Sequence, residues 1–335
     1  MSTAAASGAN DGDVASALDR AAAAIRGANS VALACHVSPD GDALGSMLAL
    51  RWALAAAGVH TVASFPEPFV VADHYRGLPG LDRLVPPADF PTEPELMVTF
   101  DCGSSARLGE LERAAKGAGE LIVIDHHLSN ERYGTIDVVD PAAAASGVVV
   151  RRLLERLDLP LDREVATCLY VALVCDTGRF QYEATDASVF ALAAELAAFD
   201  LPIATLSRQL FEEHSFAYLK LLAEALGRVE MRNECGLIWT AVTQDDLRRH
   251  GVAYDEVEGL IDVVRRAREA EVACVLKEAA DGAWRVSLRS LGAVDVCRIA
   301  EEHGGGGHRF AAGFTSDETA DAVIGSIAAA IAGSR

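Results

Sequence analysis

The chain has 335 residues, 51% of them hydrophobic, and a formal net charge of −20 at pH 7 from 29 Lys and Arg against 49 Asp and Glu. That length and apolar content allow a large core, and two domains are expected. The acidic balance excludes a protein that grips duplex DNA or long RNA along a basic stripe. It leaves room for a small anionic ligand held by a local positive site.

Residues 1–12 are small and polar and read as a disordered tail. They do not resemble a secretory signal, and no apolar run reaches membrane-spanning length. Seven cysteines stand singly with no C-x-x-C pair, which suggests a reducing compartment. A soluble, cytoplasmic chain is therefore expected, with no membrane partner.

Residues 13–28 read as a helix, with Ala and Leu on one side and charges on the other. Residues 31–35 form a short, wholly apolar strand, and 45–57 read as the helix after it. Further strands are expected at 61–65, 96–100 and 121–124, separated by polar helical or turn segments. Strands alternating with helices predict an α/β fold with a doubly wound, mainly parallel sheet. Residues 146–157 and 163–175 look helical or mixed, so Asp176 follows either a strand or a helix. Residues 185–230 are helical with few turn signals. From Gly236 the pattern changes: strands at 236–242, 271–277 and 284–290, a helix over 255–269, a glycine run at 304–307 and a closing helix over 316–332. These predict a second, smaller α/β domain. The expected boundaries are 13–200 for the first domain, 201–234 for a helical connector and 235–333 for the second domain.

Four short runs close apolar stretches: His36-Val37-Ser38-Pro39-Asp40-Gly41-Asp42, Asp101-Cys102-Gly103, Asp125-His126-His127 and Asp176-Thr177-Gly178. In open α/β sheets ligands gather beyond the carboxyl ends of strands, and the first three runs sit at such ends. His36, Asp40, Asp42, Asp101, His126 and Asp176 are the candidate metal ligands. Their four carboxylates nearly balance two divalent cations, and Asp101 is the natural bridge between them. Oxygen-rich ligation with some imidazole favours Mn²⁺, with Mg²⁺, Co²⁺ or Fe²⁺ as alternatives. Asp125 is either a ligand or a group that orients a neighbouring histidine. His127 is left to face a substrate phosphate or assist a leaving group. The thiols of Cys35, Cys102 and Cys175 should point into the core rather than ligate metal. Any one of these runs alone would be an ordinary cap or turn; together they point to a metal-dependent hydrolase of phosphate esters. His60, His74, His214 and His250 stand apart and read as solvated or structural.

Gly304 to Gly307, followed by His308 and Arg309, form a run too short for a linker, and glycines let backbone amides approach an anion. Residues 284–290 alternate, with Trp284, Val286 and Leu288 on one face and Arg285, Ser287 and Arg289 on the other. The second face is either a solvated strand surface or, through Arg289 and the glycine loop, a clamp on a phosphate or sugar.

The order H-x-x-x-D-x-D, D-C-G, D-H-H, D-T-G and then G-G-G-G-H-x-x-A-A-G resembles the DHH phosphoesterases with their DHH-associated C-terminal domain. Within that family, length and two-domain plan are similar to the NrnA type, which combines oligoribonuclease activity with hydrolysis of 3′-phosphoadenosine-5′-phosphate (pAp). The resemblance implies that His36, Asp40 and Asp101 hold one Mn²⁺, and that Asp42, Asp101, His126 and Asp176 hold the other. It implies that Asp101, Asp125, His126 and His127 form the catalytic set, with His127 on the scissile phosphate. Arg289 and Ser290, with Gly305, Gly306, Gly307 and His308, would bind the nucleotide. A cleft between domains, hinge closure and a homodimer are further implications. Three positions depart from the family pattern: Cys175, Arg179 and the Ser146-Gly147 pair. Arg179 is expected to form a salt bridge or a phosphate contact, and no phosphate contact is carried over to Ser146-Gly147.

The resulting expectation is hydrolysis of short oligoribonucleotides and linear dinucleotides such as pApA to 5′-mononucleotides, and of pAp to AMP. Cyclic di-AMP hydrolysis is the main alternative, using the same metals and clamp. Inorganic pyrophosphatase ranks lower because its relatives lack the glycine loop. A RecJ-like processive exonuclease would carry extra nucleic-acid-binding modules. A non-catalytic nucleotide sensor would have lost ligands, and all six are present here.

Overall fold

The computed structural model describes residues 4–334, with side chains from residue 13 onward; residues 1–3 of the expected tail lie outside it, while 4–12, expected to be disordered, are helical and continuous with the helix expected over 13–28. The chain divides into two compact units, one through Glu212 and one from Glu213, and the division falls within the stretch read as a connector.

The first unit contains α1 (Ala4–Gly27), β1 (Ser30–Cys35), α2 (Gly41–Ala56), β2 (His60–Ser64), β3 (Leu96–Phe100), α3 (Glu112–Gly117), β4 (Glu120–Asp125), β5 (Ile136–Val139), α4 (Ser146–Arg156), α5 (Arg163–Asp176), α6 (Ala187–Ala197) and α7 (Ile203–Phe211). Its five strands are ordered β2-β1-β3-β4-β5, and every neighbouring pair is parallel. The chain runs from β1 outward to β2, then returns across β1 to β3. That reversal puts a topological switch point between the carboxyl ends of β1 and β3, where open sheets of this kind bind ligands.

Both faces of the sheet are covered, as an all-parallel sheet requires. Val31, Leu33, Val98, Phe100, Ile122 and Ile124 pack with α1, α2, α4 and α5 on one side. Ala32, Ala34, Met97, Leu121 and Val123 pack with Leu108, Leu111, Ala114 and Ala115 on the other. Helix α2 is apolar on nearly every side and is buried from Gly41 to Leu50, as a helix enclosed by the core must be. It starts at Gly41, four residues before the sequence pattern suggests. Asp40 caps it, its Oδ1 accepting from the amides of Asp42 and Ala43 at 3.0 Å each.

The second unit contains α8 (Phe216–Gly227), β6 (Glu230–Arg232), β7 (Leu237–Val242), α9 (Gln244–His250), α10 (Leu260–Val264), β8 (Val272–Glu278), β9 (Trp284–Ser290), α11 (Val296–Glu302), β10 (Gly306–His308), β11 (Ala311–Ser316) and α12 (Ala320–Gly333). Six strands run in the order β10-β11-β9-β8-β7-β6, antiparallel except for the parallel pair β7–β8.

Two expectations here are corrected. The helix read over 255–269 is a 3₁₀ turn at 254–257 followed by the short α10, with Gly259, a poor helix former, between them. The closing helix starts at Ala320, where the Thr319 hydroxyl accepts from Ala322, and 311–316 is a strand. Pairing with β9 overrides the weak strand preference of Ala311-Ala312-Gly313.

The α2–α5 contact allows a direct check. A Cβ on Gly45 would lie 2.4 Å from the Cys168 carbonyl oxygen and 3.0 Å from the Ala172 Cβ. Gly45→Ala should therefore destabilise the first unit by about 1–3 kcal/mol despite its better helix propensity. Urea unfolding measures this, and an unchanged midpoint would show that α5 yields at the contact.

Candidate metal centre

The loops leaving β1, β3 and β4 bring the predicted ligands together, and the last residue of α5 adds Asp176. Asp101 leaves β3 with φ of 52°, a left-handed conformation costly for a non-glycine residue. Its amide donates to the Ile124 carbonyl on β4 at 2.9 Å, which holds the turn in place. The alternative that Asp176 follows a strand is settled: it closes a helix.

Among the donor triplets that result are His36–Asp40–Asp101 and Asp42–His126–Asp176, each with its atoms within 4.8 Å of one another. In the first, His36 Nε2 lies 3.5 Å from Asp101 Oδ2 and 4.0 Å from Asp40 Oδ2. In the second, His126 Nε2 lies 3.2 Å from Asp176 Oδ2 and 3.7 Å from Asp42 Oδ2. Asp101 Oδ1 lies 3.6 Å from His126 Nε2. The two oxygens of Asp101 thus face different triplets.

The histidine tautomers suit ligation. His36 Nδ1 meets the Val37 carbonyl at 2.8 Å, and His126 Nδ1 meets the Ala143 carbonyl at 3.0 Å. A carbonyl only accepts, so each Nδ1 carries a proton, and Nε2, the nitrogen that faces the carboxylates, is the one available to a cation.

A further layer of hydrogen bonds orients the carboxylates. Asp42 accepts from the amides of Ser146 (2.6 Å) and Gly147 (3.0 Å) and from the Ser46 hydroxyl (3.0 Å). The Ser146 hydroxyl donates to Asp101 Oδ1 at 3.1 Å. Asp125 is wholly buried. Its Oδ1 accepts from both following amides and from His127 Nδ1 at 2.7 Å, and its Oδ2 from Asn130. That geometry orients His127. Ser46, Ser146 and Asn130 were not anticipated as site residues. Ser46 stands one helical turn after Asp42, a spacing that places the two side chains together; Ser146 stood out only as a departure from the family pattern, with no contact to a carboxylate expected of it.

Burial shapes the charges. Asp42 is pushed well above the usual carboxylate range by burial and by Asp101 and Asp176 nearby. Asp176 is pushed up to about 7 by burial, with Asp101 and Asp40 adding and His126 opposing. Burial also opposes ionisation of Asp101, yet the imidazoles of His127, His36 and His126 hold it well below the usual range. Burial works against protonation of His127, but Asp101 and Asp125 outweigh it and raise it to about 9. A buried excess of carboxylates with imidazole Nε2 atoms aimed at them, and no thiolate in any of these groups, is a donor set that fits divalent cations.

Of the three departures, Ser146-Gly147 serves the carboxylates as described, and the other two make packing contacts. Cys175 Sγ lies where a Cβ on Gly41 would come within 2.3 Å, so glycine is required at the start of α2. Arg179 carries its guanidinium 5.1 Å from the centre of the Phe211 ring. Among the described residues this cation–π contact, and no salt bridge, engages its side chain.

In the second unit, Arg289 is in register with Ala273 on one side and Ala311 on the other, and Ala311 pairs in turn with His308. Directly paired residues share a face, so Arg289 and His308 stand on one side of the sheet with alanines between and beside them. Val286 and Leu288 point to the core on the other side. The Ser290 hydroxyl is engaged with Glu271 at 3.2 Å. The amides of Gly304 and Gly305 donate to carbonyls of α11, while Gly306 and Gly307 belong to β10. Glycine is needed at 305 for close approach, since a Cβ there would lie 2.2 Å from the Gly313 carbonyl oxygen.

Comparison with known proteins agrees with this picture. Residues 30–173 match the DHH family, N-terminal domain, and residues 238–332 match the DHHA1 domain. The chain is 29% identical over 301 residues to the probable bifunctional oligoribonuclease and PAP phosphatase NrnA of Streptococcus mutans, covering 89% of this chain and 93% of the relative. It is 32% identical over 286 residues to the bifunctional oligoribonuclease and PAP phosphatase NrnA of Thermus thermophilus, covering 84% and 83%. The crystal structure of an exopolyphosphatase-related protein from Bacteroides fragilis aligns with a TM-score of 0.85 at 23% identity, over 94% of this chain and 95% of that one. The α/β plan and the resemblance read from the motifs are both borne out.

The raised carboxyl groups give a pH signature. Asp176 must lose its proton to act as a ligand, so cation affinity should fall as pH drops through about 7, and binding at pH 6 should release more protons than at pH 8. Calorimetric titration with Mn²⁺ in two buffers of different ionisation enthalpy measures both, and affinity that stays constant from pH 6 to 8 would contradict the expectation.

Proposed function

Because the chain belongs to the DHH phosphoesterase family and carries its DHHA1 domain, we propose that this hydrolase of phosphate esters degrades short oligoribonucleotides to 5′-mononucleotides and converts pAp to AMP. It does so with two divalent cations, Mn²⁺ foremost. The observation that supports two cations is the position of Asp101, with one oxygen toward His36 and the other toward His126. The relatives' names support the substrates.

His36, Asp40 and Asp101 would hold one cation, and Asp42, Asp101, His126 and Asp176 the other. When bound, the cations neutralise charge at the phosphorus centre and lower the pKa of the attacking water. The chain's own groups do the rest. Asp125 keeps the Nδ1–H of His127 engaged, which turns Nε2 toward the phosphate or the leaving oxygen. Burial of Asp42, Asp101 and His126 excludes competing water. In the second unit Ser290 and the Gly304 and Gly305 amides are already committed, so nucleotide binding falls on Arg289 and His308, with Gly306 and Gly307 shaping the strand beside them. The proposed setting is cytoplasmic, in keeping with seven free cysteines. No helix among the described residues is long and apolar enough to cross a membrane.

The test offers the Mn²⁺-loaded protein pApA, a short RNA series, pAp, cyclic di-AMP and pyrophosphate, and compares kcat/KM. The linear ribonucleotides and pAp should lead; preference for pyrophosphate over every nucleotide overturns the reading, and preference for cyclic di-AMP reassigns the main substrate. Asp101→Ala should lower kcat on the order of 10³-fold, since several kcal/mol of charge stabilisation are lost. Arg289→Ala should raise KM for pApA roughly tenfold, the scale of a lost charge-assisted hydrogen bond, while sparing a base-free phosphodiester.

A further inference from the structure

The segment joining β5 to α4 reaches three of the site's side chains. Asp140, Pro141, Ala142 and Ala143 form a β-turn, closed by the Ala143 amide donating to the Asp140 carbonyl at 3.0 Å. Asp140 Oδ1 also accepts from the Ala142 amide at 3.1 Å. Aspartate first and proline second are the residues such a turn favours. The carbonyl of its last residue, Ala143, is the one that accepts from His126 Nδ1. Three residues on, Ser146 and Gly147 present their amides to Asp42, and the Ser146 hydroxyl meets Asp101. No side chain of its own caps α4, which follows Ala145; Asp42 performs that role from α2.

The turn is tied to the helix behind it. Arg152, nearly two turns into α4, donates from Nη1 to Asp140 Oδ2. The Asp140 side chain is 5% exposed and that of Arg152 44%. The carboxylate is therefore buried, and losing its partner would leave that charge uncompensated, unlike a surface ion pair.

We propose that the Asp140–Arg152 pair is a positioning latch for the cation site of Asp42, His126 and Asp176. It sets the affinity of that site separately from the site of His36, Asp40 and Asp101. The connectivity supplies the asymmetry. His36 is oriented by the Val37 carbonyl, and Asp40 by the amides of residues 42 and 43, none of which belongs to the 140–147 segment. Ser146 touches the shared Asp101 only at Oδ1, the oxygen turned toward His126. Without the latch the Ala143 carbonyl loses its aim, His126 loses the partner that fixes its ring, and the α4 amides shift from Asp42.

The inference rests on the two-cation reading above, and the experiment separates them. Mn²⁺ binding is followed by calorimetry and by electron paramagnetic resonance for the wild type, Arg152→Ala, Arg152→Lys and Asp140→Asn. Asp140→Asn keeps an oxygen for the Ala142 amide, so it tests the charge pairing even if Arg152→Ala does not fold. The wild type should bind two cations. Arg152→Ala and Asp140→Asn should weaken one of them by about 10–100-fold, the usual effect of removing a group that orients a ligand, and leave the other unchanged. Arg152→Lys should fall between. In kinetics, kcat should drop at limiting Mn²⁺ and recover at saturation, with KM for pApA unchanged. Equal weakening of both sites, or no change at either, overturns the latch while leaving the two-cation reading intact. A wild type that binds a single cation overturns that reading and the latch with it.

Discussion

The carboxylate of Asp101 is buried among the imidazoles of His36, His126 and His127, and those rings hold it ionised where burial alone would neutralise it. Around it the first unit gathers carboxylates that burial pushes the other way, Asp42 and Asp176. Such a cluster is stable only with its negative charge answered by cations, protons or both. The architecture serves this tension. The order of strand addition reverses between β1 and β3, which run parallel, so that His36 and Asp101 emerge side by side, and the start of α4 lends its amides to Asp42. The left-handed backbone at Asp101 is kept because the hydrogen bond to β4 fixes it.

An enzyme of net charge −20 acting on phosphates needs a local reversal of its own field. In the first unit the cation-binding residues would provide it. In the second, Arg289 stands between alanines on its sheet face, and it is the cation on that face proposed to meet a phosphate.

The metal runs were legible because their residue types are local and their positions follow from strand ends. His36, Asp101 and His126 each close an apolar run, so a reader of the chain can place them on one edge of a sheet. The alternation over 284–290 was equally readable, and β9 has those bounds. Other features were hidden for identifiable reasons. The 311–316 strand has a weak local preference and exists because β9 offers it a partner. The glycine run looked like an anion cradle, yet two of its amides close the end of α11 and Gly305 is demanded by contact with β11.

Sequence by itself determined the chemistry of the donor set, the two α/β units and the family, because residue type and hydrophobic period are written in neighbouring positions. Tertiary structure decided which atoms share the work. Only the fold gives Asp101 one oxygen for each triplet, makes Asp125 an orienting group for His127, and sets Ser146, Ala143 and the Asp140–Arg152 pair behind the ligands. Those assignments depend on hydrogen bonds between residues up to 105 positions apart, and no local pattern encodes a contact made by segments that meet only when the sheet closes over its helices.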